Sequence, residues 1–300
     1  MSKAKKIWLI TAASLIIAGG VTFVIIMSVI GWDFKMLSTQ KYQTNTHNIT
    51  NDFTSLSIDT TTANITFVPT QDSKCSVVCY EQDKAKHSVS VTDGILTIKL
   101  NDARKWYDSI GINFSSPKIT VYIPQGDYGN LSIKTVTGNV DIPKDFKFEN
   151  INIEGTTGQV TNSASVLKNI KIELTTGKIN LKNLSADTLD LKTSTGETAL
   201  TSVTCKNLTS NQTTGDIKLT NVIAEEKFSL TTNTGDITFN DCDAKEIFAK
   251  TTTGNVEGAL LTEKIFSVET TTGKKDVPQS AKGGKCEIST TTGNVKIRIK

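Results

Sequence analysis

Nine glycines recur through the second half of the chain at intervals of 19 or 20 residues, and a threonine directly precedes each one. A repeat this short cannot bury an apolar face alone, so each unit must stack on its neighbours, as in solenoid proteins. The sequence therefore predicts an all-β chain, a parallel β-solenoid of about nine or more 19–20-residue rungs. The glycines, which we predict to be structural turn residues, are Gly138, Gly158, Gly177, Gly196, Gly215, Gly235, Gly254, Gly273 and Gly293.

The residues around each glycine alternate between apolar and polar, which is the pattern of a strand with one buried face. Apolar residues recur seven and five positions before the glycine and two positions after it, as Ile151, Ile153 and Val160 do around Gly158. Glycine is expected where the chain turns a corner, because it adopts positive φ without a steric penalty. The preceding threonines are expected to stiffen the strands and to hydrogen-bond along the stack.

The two ends of the stack are predicted to differ. The segment 60–65 resembles a degenerate repeat with Ala63 in place of glycine, so residues 52–130 are expected to form an N-terminal β cap region. The repetitive solenoid is expected to occupy residues 131–300. Its last strand should form the other edge, where Lys296, Arg298 and Lys300 would oppose end-to-end aggregation.

Two features of the cap region are also predicted. The dipeptide Asp93-Gly94 lies between two alternating runs and indicates a hairpin turn. The segment 101–117 is the longest irregular stretch and is expected to be a surface loop.

The N-terminus carries a second signal, because the 24 residues from Ile7 to Ile30 contain no charge. As a helix they would span roughly 36 Å, enough to cross a hydrocarbon core of about 30 Å. Trp8 and Trp32 lie at the two ends, where indole rings favour the membrane interface. We predict a transmembrane signal-anchor helix at residues 7–31, between a cytoplasmic tail, residues 1–6, and a juxtamembrane linker, residues 32–51.

Charge predicts the orientation of this helix. Lys3, Lys5 and Lys6 precede it, and the positive-inside rule places that end in the cytoplasm. The chain would then be a single-pass protein of the cell membrane with an extracellular C-terminal domain. A cleaved signal peptide is the alternative, but the apolar run continues for ten residues past the poor cleavage site at Gly20.

The charge balance limits the partners. The chain has 33 Lys and Arg against 30 Asp and Glu, and the three N-terminal lysines account for the net charge of +3. The exported part is therefore neutral and lacks the basic footprint of a nucleic-acid-binding protein. The predicted partners are membrane lipid around the N-terminal helix and an envelope protein or cell-wall polymer around the solenoid.

The sequence contains no motif for a nucleophile elbow, a phosphate loop, a metalloprotease helix or paired catalytic carboxylates. We therefore predict no enzymatic activity, no catalytic residues and no cofactor. Cys205, Cys242 and Cys286 fall in apolar columns of the repeat and are expected to be core residues. Cys75 and Cys79 would lie about 13 Å apart on a strand, too far for a disulfide. His47 and His87 are both expected to be solvent-exposed, with no carboxylate nearby.

One constellation invites a metal ion. Glu197, Asp216 and Asp236 directly follow the glycine on three successive rungs, which would place their carboxylates about 5 Å apart. Like charges at that spacing repel, so the ladder would favour a bound cation such as Ca²⁺. The alternative is a solvated corner, since Lys178 and Asn255 dilute the charge at either end.

The order of several segments gives a resemblance to a known family. The chain opens with Phe53-Xaa-Xaa-Leu56-Xaa-Ile58, continues with the strands Asp93–Ile98 and Ile119–Pro124, and ends in a train of Thr-Gly-Asn-Val and Thr-Gly-Asp-Ile repeats. In this order it resembles the bacterial "putative adhesin" family, domain of unknown function 4097, over roughly residues 50–300. The resemblance implies a membrane-anchored β-solenoid at the cell surface and supplies no catalytic residues.

Three functions remain open at this point. The first is a non-catalytic surface scaffold or adhesin that binds an envelope protein or wall polymer. The second is a regulatory ectodomain that modulates a membrane sensor in an envelope-stress response. The third is a carbohydrate-active β-helix, which would need a cluster of acidic and basic groups in one groove.

Overall fold

A computed structural model describes residues 2–37, 40–71, 74–109 and 115–300. Within these ranges the chain forms helix α1, two short 3₁₀ turns and nineteen strands. The elements are α1 Lys3–Val29, the 3₁₀ turns Phe34–Leu37 and Trp106–Ser109, and the strands β1 Tyr42–Ile49, β2 Ser55–Asp59, β3 Asn64–Thr70, β4 Cys75–Gln82, β5 Ala85–Thr92, β6 Ile95–Asp102, β7 Lys118–Pro124, β8 Gly126–Thr137, β9 Val140–Ile142, β10 Phe146–Asn162, β11 Ser165–Thr195, β12 Thr198–Thr214, β13 Ile217–Thr234, β14 Ile237–Thr253, β15 Val256–Leu260, β16 Lys264–Thr270, β17 Lys275–Asp276, β18 Gly284–Thr290 and β19 Val295–Ile299.

Parallel pairing stacks the repeats in one register. Where β10 pairs with β11, Ile151 lies beside Ile170, Gly158 beside Gly177 and Val160 beside Ile179. Identical positions of the repeat therefore form columns, and the inward columns from both sides of the glycine share one buried core. The predicted parallel β-solenoid is confirmed.

The glycine column is where the main chains of successive rungs approach most closely. A Cβ on Gly177 would meet the carbonyl oxygen of Gly158 far inside the 3.0 Å that real Cβ atoms keep. Gly196 meets Gly177 in the same way, and its φ of 143° is also unfavourable for other residues. Close stacking is thus a second reason for glycine, beside the corner that the sequence predicts. Ala63 lies next to Gly138 in this column, which confirms that segment as a degenerate repeat.

Threonines three positions before the glycine satisfy the carbonyls of this column. The hydroxyls of Thr232, Thr251 and Thr290 donate to the glycine carbonyls of the adjacent rung, over 3.1, 2.9 and 3.0 Å. Buried carbonyls need such partners. The threonines that directly precede the glycines are exposed instead. The expected hydrogen bonding along the stack therefore comes chiefly from a different threonine of the repeat.

Each central rung has a second corner that the sequence analysis missed. Six positions after the glycine, Asn183, Ser202, Asn221 and Asp241 all have φ between 52° and 55°. Asn and Asp tolerate this left-handed conformation better than most residues do. Their recurrence at one position of the repeat was the available signal.

The N-terminal cap places the first repeat inside the stack. Strand β2 pairs with β8 on one side and β6 on the other, and β3 pairs in the same way with β9 and β7. Antiparallel strands β5, β4 and β1 extend the sheet from β6 and β7. The predicted hairpin is present, because Thr92 pairs with Ile95 and both Asp93 and Gly94 have positive φ. Of the predicted loop 101–117, residues 110–114 lie outside the described residues.

The segment 32–51, predicted as a juxtamembrane linker, contains a strand of the sheet. This strand, β1, pairs antiparallel with β4 from Tyr42 opposite Gln82 to Ile49 opposite Cys75, so residues 42–49 belong to the solenoid cap and not to a linker. The inward positions of β1 include Asn45 and His47, so the strand lacks apolar alternation. Residues 38 and 39 of this segment lie outside the described residues.

The prediction for the C-terminal edge is also wrong. Strands β18 and β19 pair with β14 and β15 on one side and with β16 and β17 on the other. The last repeat in sequence is therefore the penultimate rung in space, and the rung of β16 and β17 forms the edge. Lys275 fits this order, because it occupies the inward position two after the glycine. Its charge is exposed at the edge and would be buried in an interior rung.

Candidate binding surface

A groove crosses the outer face of the first rungs. Its volume is about 440 Å³, and Gly155 is among the residues that line it. Exposed hydroxyls of Thr156, Thr175 and Ser194 form one rim. We call this cavity the first groove.

The charged side of the first groove belongs to a column that continues along the solenoid. Four positions before each glycine, the outward residues form what we call the groove line. In spatial order it consists of Asp59, Lys134, Glu154, Glu173, Lys192, Asn211, Thr231, Lys250, Ser289 and Glu269. A second groove of about 390 Å³ lies on the same line at the other end, beside Thr231, Lys250 and Phe248. Two grooves on one line form an extended surface.

The electrostatics of the groove line are balanced. Lys134 lies 3.6 Å from Glu154, and Lys171 lies 3.2 Å from Glu173. These carboxylates are partly exposed and paired with lysine, whereas a general acid needs a buried site that favours its neutral form. The surface offers hydroxyls, amides and paired charges, which suit hydrogen bonding to a polar, extended partner.

The prediction that His87 is exposed and far from any carboxylate is wrong. Its side chain is buried, and its Nδ1 lies 2.6 Å from Oε2 of Glu81, which is also buried. The His87 main-chain N–H donates to the same oxygen over 2.7 Å, and Nε2 lies 2.9 Å from the Thr60 hydroxyl. Asn45 donates to the other Glu81 oxygen over 2.6 Å. His47 is half-buried on β1 and so is not fully exposed either.

This network includes a thiol. Ligand atoms of Cys79, Glu81 and His87 all lie within 4.8 Å of one another, which no other His, Cys, Asp or Glu trio among the described residues achieves. Such residue types can hold zinc. Here, however, both carboxylate oxygens and both ring nitrogens already have hydrogen-bond partners in the protein. This hydrogen-bond network therefore connects β1, β4 and β5 to the segment after β2.

All five cysteines are free thiols, and Cys205, Cys242 and Cys286 are buried in the core columns as predicted. Burial raises the pKa of the Cys79, Cys205 and Cys286 thiols from 9.0 to about 12. Desolvation of the thiolate is the main cause in each case. Within the fold these groups stay neutral, which suits packing and not nucleophilic chemistry.

These raised pKa values predict a loss of stability in alkali. Between pH 9 and 12 the unfolded thiols ionise while the folded ones do not, so each contributes a loss approaching about 1.4 kcal/mol per pH unit above pH 9. We expect urea unfolding to show a clearly lower free energy at pH 10 than at pH 8. Cys205→Ala should reduce that difference, because the neighbours in its column are Ala186 and Ala224 and an alanine fits there. An unchanged pH dependence in this variant would contradict the assignment.

Glu197, Asp216 and Asp236 have other partners in the structure. The Nζ atoms of Lys178 and Lys218 each lie 2.5 Å from a carboxylate oxygen of Glu197. These two ion pairs lower the pKa of the Glu197 carboxyl group. Asp216 accepts the main-chain N–H of Asp236 over 3.0 Å, and Asp236 accepts that of Asn255 over 2.6 Å.

Asparagines do the same elsewhere in this column. Asn139 accepts the main-chain N–H of Gln159 over 2.9 Å, and Asn255 accepts that of Asn294 over 2.8 Å. The side-chain oxygen and not the negative charge is the shared feature, so the geometry favours a structural role. The Ca²⁺ ladder stays a prediction.

Asp236 offers a test of that ladder. We expect Asp236→Asn to change the free energy of unfolding by less than about 0.5 kcal/mol, because the amide oxygen can still accept the Asn255 N–H. Asp236→Ala should cost about 1 kcal/mol through the lost hydrogen bond. Millimolar Ca²⁺ should leave the Tm of all three proteins unchanged. A Ca²⁺-dependent rise in Tm that Asp236→Asn abolishes would instead establish the cation site.

Helix α1 is long and apolar enough to cross a membrane. Its most apolar 18-residue window has a mean hydropathy of 2.4, and none of that window is buried in the structure. A secretion signal would have the same properties, so length and composition fit a membrane anchor and a signal equally.

The stacked rungs, the glycine column and the antiparallel cap define the class of β-solenoid to which this protein belongs. The model of the Toastrack DUF4097 family matches residues 53–298, and the chain belongs to this family. Comparison with curated proteins gave no match.

Solved structures show the same fold. A "putative adhesin" from Bacteroides fragilis NCTC 9343 is 19% identical, with a TM-score of 0.50 over 87% of this chain and 99% of that one. Another from Parabacteroides distasonis ATCC 8503 is 13% identical, with a TM-score of 0.51 over 86% and 98%. A third, from Parabacteroides merdae ATCC 43184, is 14% identical, with a TM-score of 0.52 over 87% and 98%.

Proposed function

We propose that this protein is a non-catalytic, membrane-anchored solenoid that binds an extended envelope partner, a protein or a cell-wall polymer, along the groove line. The continuous outer column with a groove at each end carries this proposal. A polymer lying along the stack would meet an equivalent position about every 4.8 Å. The "putative adhesin" names of the structural neighbours agree with a binding role.

We further propose that α1 is an uncleaved anchor with a cytoplasmic N-terminus and an extracellular solenoid. The lysines at its start support this orientation, and the exposure of its apolar window supports the anchor. The solenoid would then be tethered at the cell surface, where a binding surface reaches wall polymer or neighbouring proteins.

Affinity purification with matched variants tests the binding surface. The full-length chain in detergent is used as bait against solubilised membranes and cell-wall extract. In the test variant, Thr156→Arg and Thr175→Arg crowd the rim of the first groove. In the control, Ser185→Arg and Thr204→Arg place the same charge on a different outer face, where both residues are exposed. We expect the rim variant to lose the partner and the control to keep it.

The identity of the captured partner separates the alternatives. Wall polymer or a surface protein lost by the rim variant supports the adhesin-type function. A membrane sensor captured equally by all baits would favour the regulatory ectodomain and contradict a role for the groove. Hydrolysis or lyase products from purified glycans would contradict the non-catalytic assignment.

A further inference from the structure

Among the residues that the structure describes, exposed aromatic side chains occur in two places. Outside residues 1–37, the described residues with exposed aromatic rings are Trp106 and Tyr107, whose side chains are 80% and 48% exposed. Their rings lie 5.9 Å apart in an edge-to-face arrangement, and the Lys105 ammonium lies 5.9 Å from the Tyr107 ring. We call Lys105, Trp106 and Tyr107 the aromatic patch. Tryptophan is largely buried on average, so one with 80% exposure is unusual on a surface that faces only water.

The fold holds this patch close to the anchor. Gln40, eight residues beyond Trp32, donates a side-chain hydrogen bond to the main-chain oxygen of Asp108. The Nζ atom of Lys84 lies 2.6 Å from Oδ1 of Asp108, and the Lys105 main-chain N–H donates to Oδ2 of Asp108 over 2.8 Å. Eight residues span at most about 28 Å when extended. Gln40 therefore stays within that distance of Trp32, next to the end of the predicted membrane helix, and the patch lies beside the Asp108 carbonyl that Gln40 contacts.

A groove of about 350 Å³ lies beside the patch and carries the charge that a phospholipid surface would meet. Tyr107 forms part of its wall, and Lys41, Lys84 and Arg104 are its cations. With Lys86 and Lys105 nearby there are five cations and three carboxylates. Lys84 pairs with Asp108, Lys86 with Asp83 and Arg104 with Asp102, so Lys41 and Lys105 supply the excess positive charge. The net positive charge next to exposed indole and phenol rings is the combination found in membrane-interface belts.

We propose that the aromatic patch inserts into the headgroup region of the bilayer that holds α1, and that the neighbouring cations contact lipid phosphates. The cap end of the solenoid would then rest on the membrane, and the rung of β16 and β17 would point away from it. This inference rests on the proposed anchoring of α1. It assigns the patch one occupant, the phospholipid surface.

The chain allows a direct test because Trp8, Trp32 and Trp106 are its three tryptophans. The double variant Trp8→Phe/Trp32→Phe, full length and reconstituted in vesicles of phosphatidylglycerol and phosphatidylcholine, reports on Trp106 alone. The matched control adds Trp106→Phe and Ile265→Trp. Ile265 is 49% exposed on the edge rung, so the control moves the single indole to the far end of the solenoid. Quenching by lipids brominated along the acyl chain and by aqueous iodide is measured for both.

We expect brominated lipid to quench Trp106 at least twofold, with emission at shorter wavelength than in the control, and iodide to quench the control more. Equal quenching of both indoles by iodide and of neither by brominated lipid would overturn the proposal. Flotation of the vesicles is measured in the same samples. Protein that fails to float would refute the anchoring itself, whereas protein that floats with an exposed Trp106 refutes the patch alone.

Discussion

Replacing Gly196 with alanine is expected to destabilise the solenoid by at least about 4 kcal/mol, the range of severe single substitutions. The new Cβ would overlap the carbonyl oxygen of Gly177, a main-chain atom that cannot rotate away. Relief requires the two rungs to separate, which would break the parallel hydrogen bonds on either side of the glycine. Urea unfolding of the wild type and Gly196→Ala measures the effect.

Gly94 provides the matched control for this substitution. Its φ is 71°, also unfavourable for alanine, but the nearest atom to a Cβ there is the Thr54 hydroxyl oxygen at 3.9 Å. Gly94→Ala should therefore cost only the conformational penalty of about 1–2 kcal/mol. Similar losses in the two variants would mean that positive φ, and not close stacking, accounts for glycine in the column.

Removal of residues 284–300 is expected to disrupt two rungs and not one. The deletion takes away β18 and β19, with the buried side chains of Cys286, Ile288, Val295 and Ile297. Burial of four such side chains contributes roughly 5–10 kcal/mol. It also removes the pairing partners of β16 and β17, so this rung loses the strands that hold it to the stack.

Hydrogen exchange on the truncated chain measures this effect. Amides of β16 should lose protection together with the adjacent face of β14, while rungs near Gly177 should remain protected, because repeat proteins unfold locally. A chain truncated only after Arg298 serves as the control and should keep β16 protected. Retained protection of β16 in the longer deletion would show that the rungs stack in sequence order.

The repeat unit could be predicted from the sequence because the interactions that define it lie within a single repeat. The columns around Gly158, the Ala63 copy and the Asp93-Gly94 hairpin all depend on alternation and turn chemistry within one repeat. The order of the end rungs depends on which repeats lie next to each other in the stack. Repeats with the same apolar columns can all pair with one another, so the columns alone do not determine this order. Lys275 distinguishes the repeat of β16 and β17 from the others, because its charge is tolerated at the exposed edge of the stack and not in an interior rung.

The candidate binding surface and the buried network were harder to predict for different reasons. The residues of the groove line are polar and point outward, like many others in the repeat. Only the structure shows that residues such as Lys134 and Glu154 lie on adjacent rungs and form one continuous surface. The Glu81–His87 contact forms across a hairpin, and its stability depends on Asn45 and Thr60 from distant segments. The strand β1 carries polar residues inward because it covers this network, so its apolar alternation is lost.

We propose the groove line as the binding surface of an anchored, non-catalytic solenoid. Site-specific photocrosslinking in living cells tests it most directly, with the photoreactive residue placed singly at Thr156, Thr175 or Lys250 and, on the other face, at Ser185 or Thr204. We expect one crosslinked partner from the rim positions Thr156 and Thr175 and from the groove-line position Lys250, and none from the other face. Crosslinks confined to Ser185 and Thr204, or equal at all five positions, would contradict it.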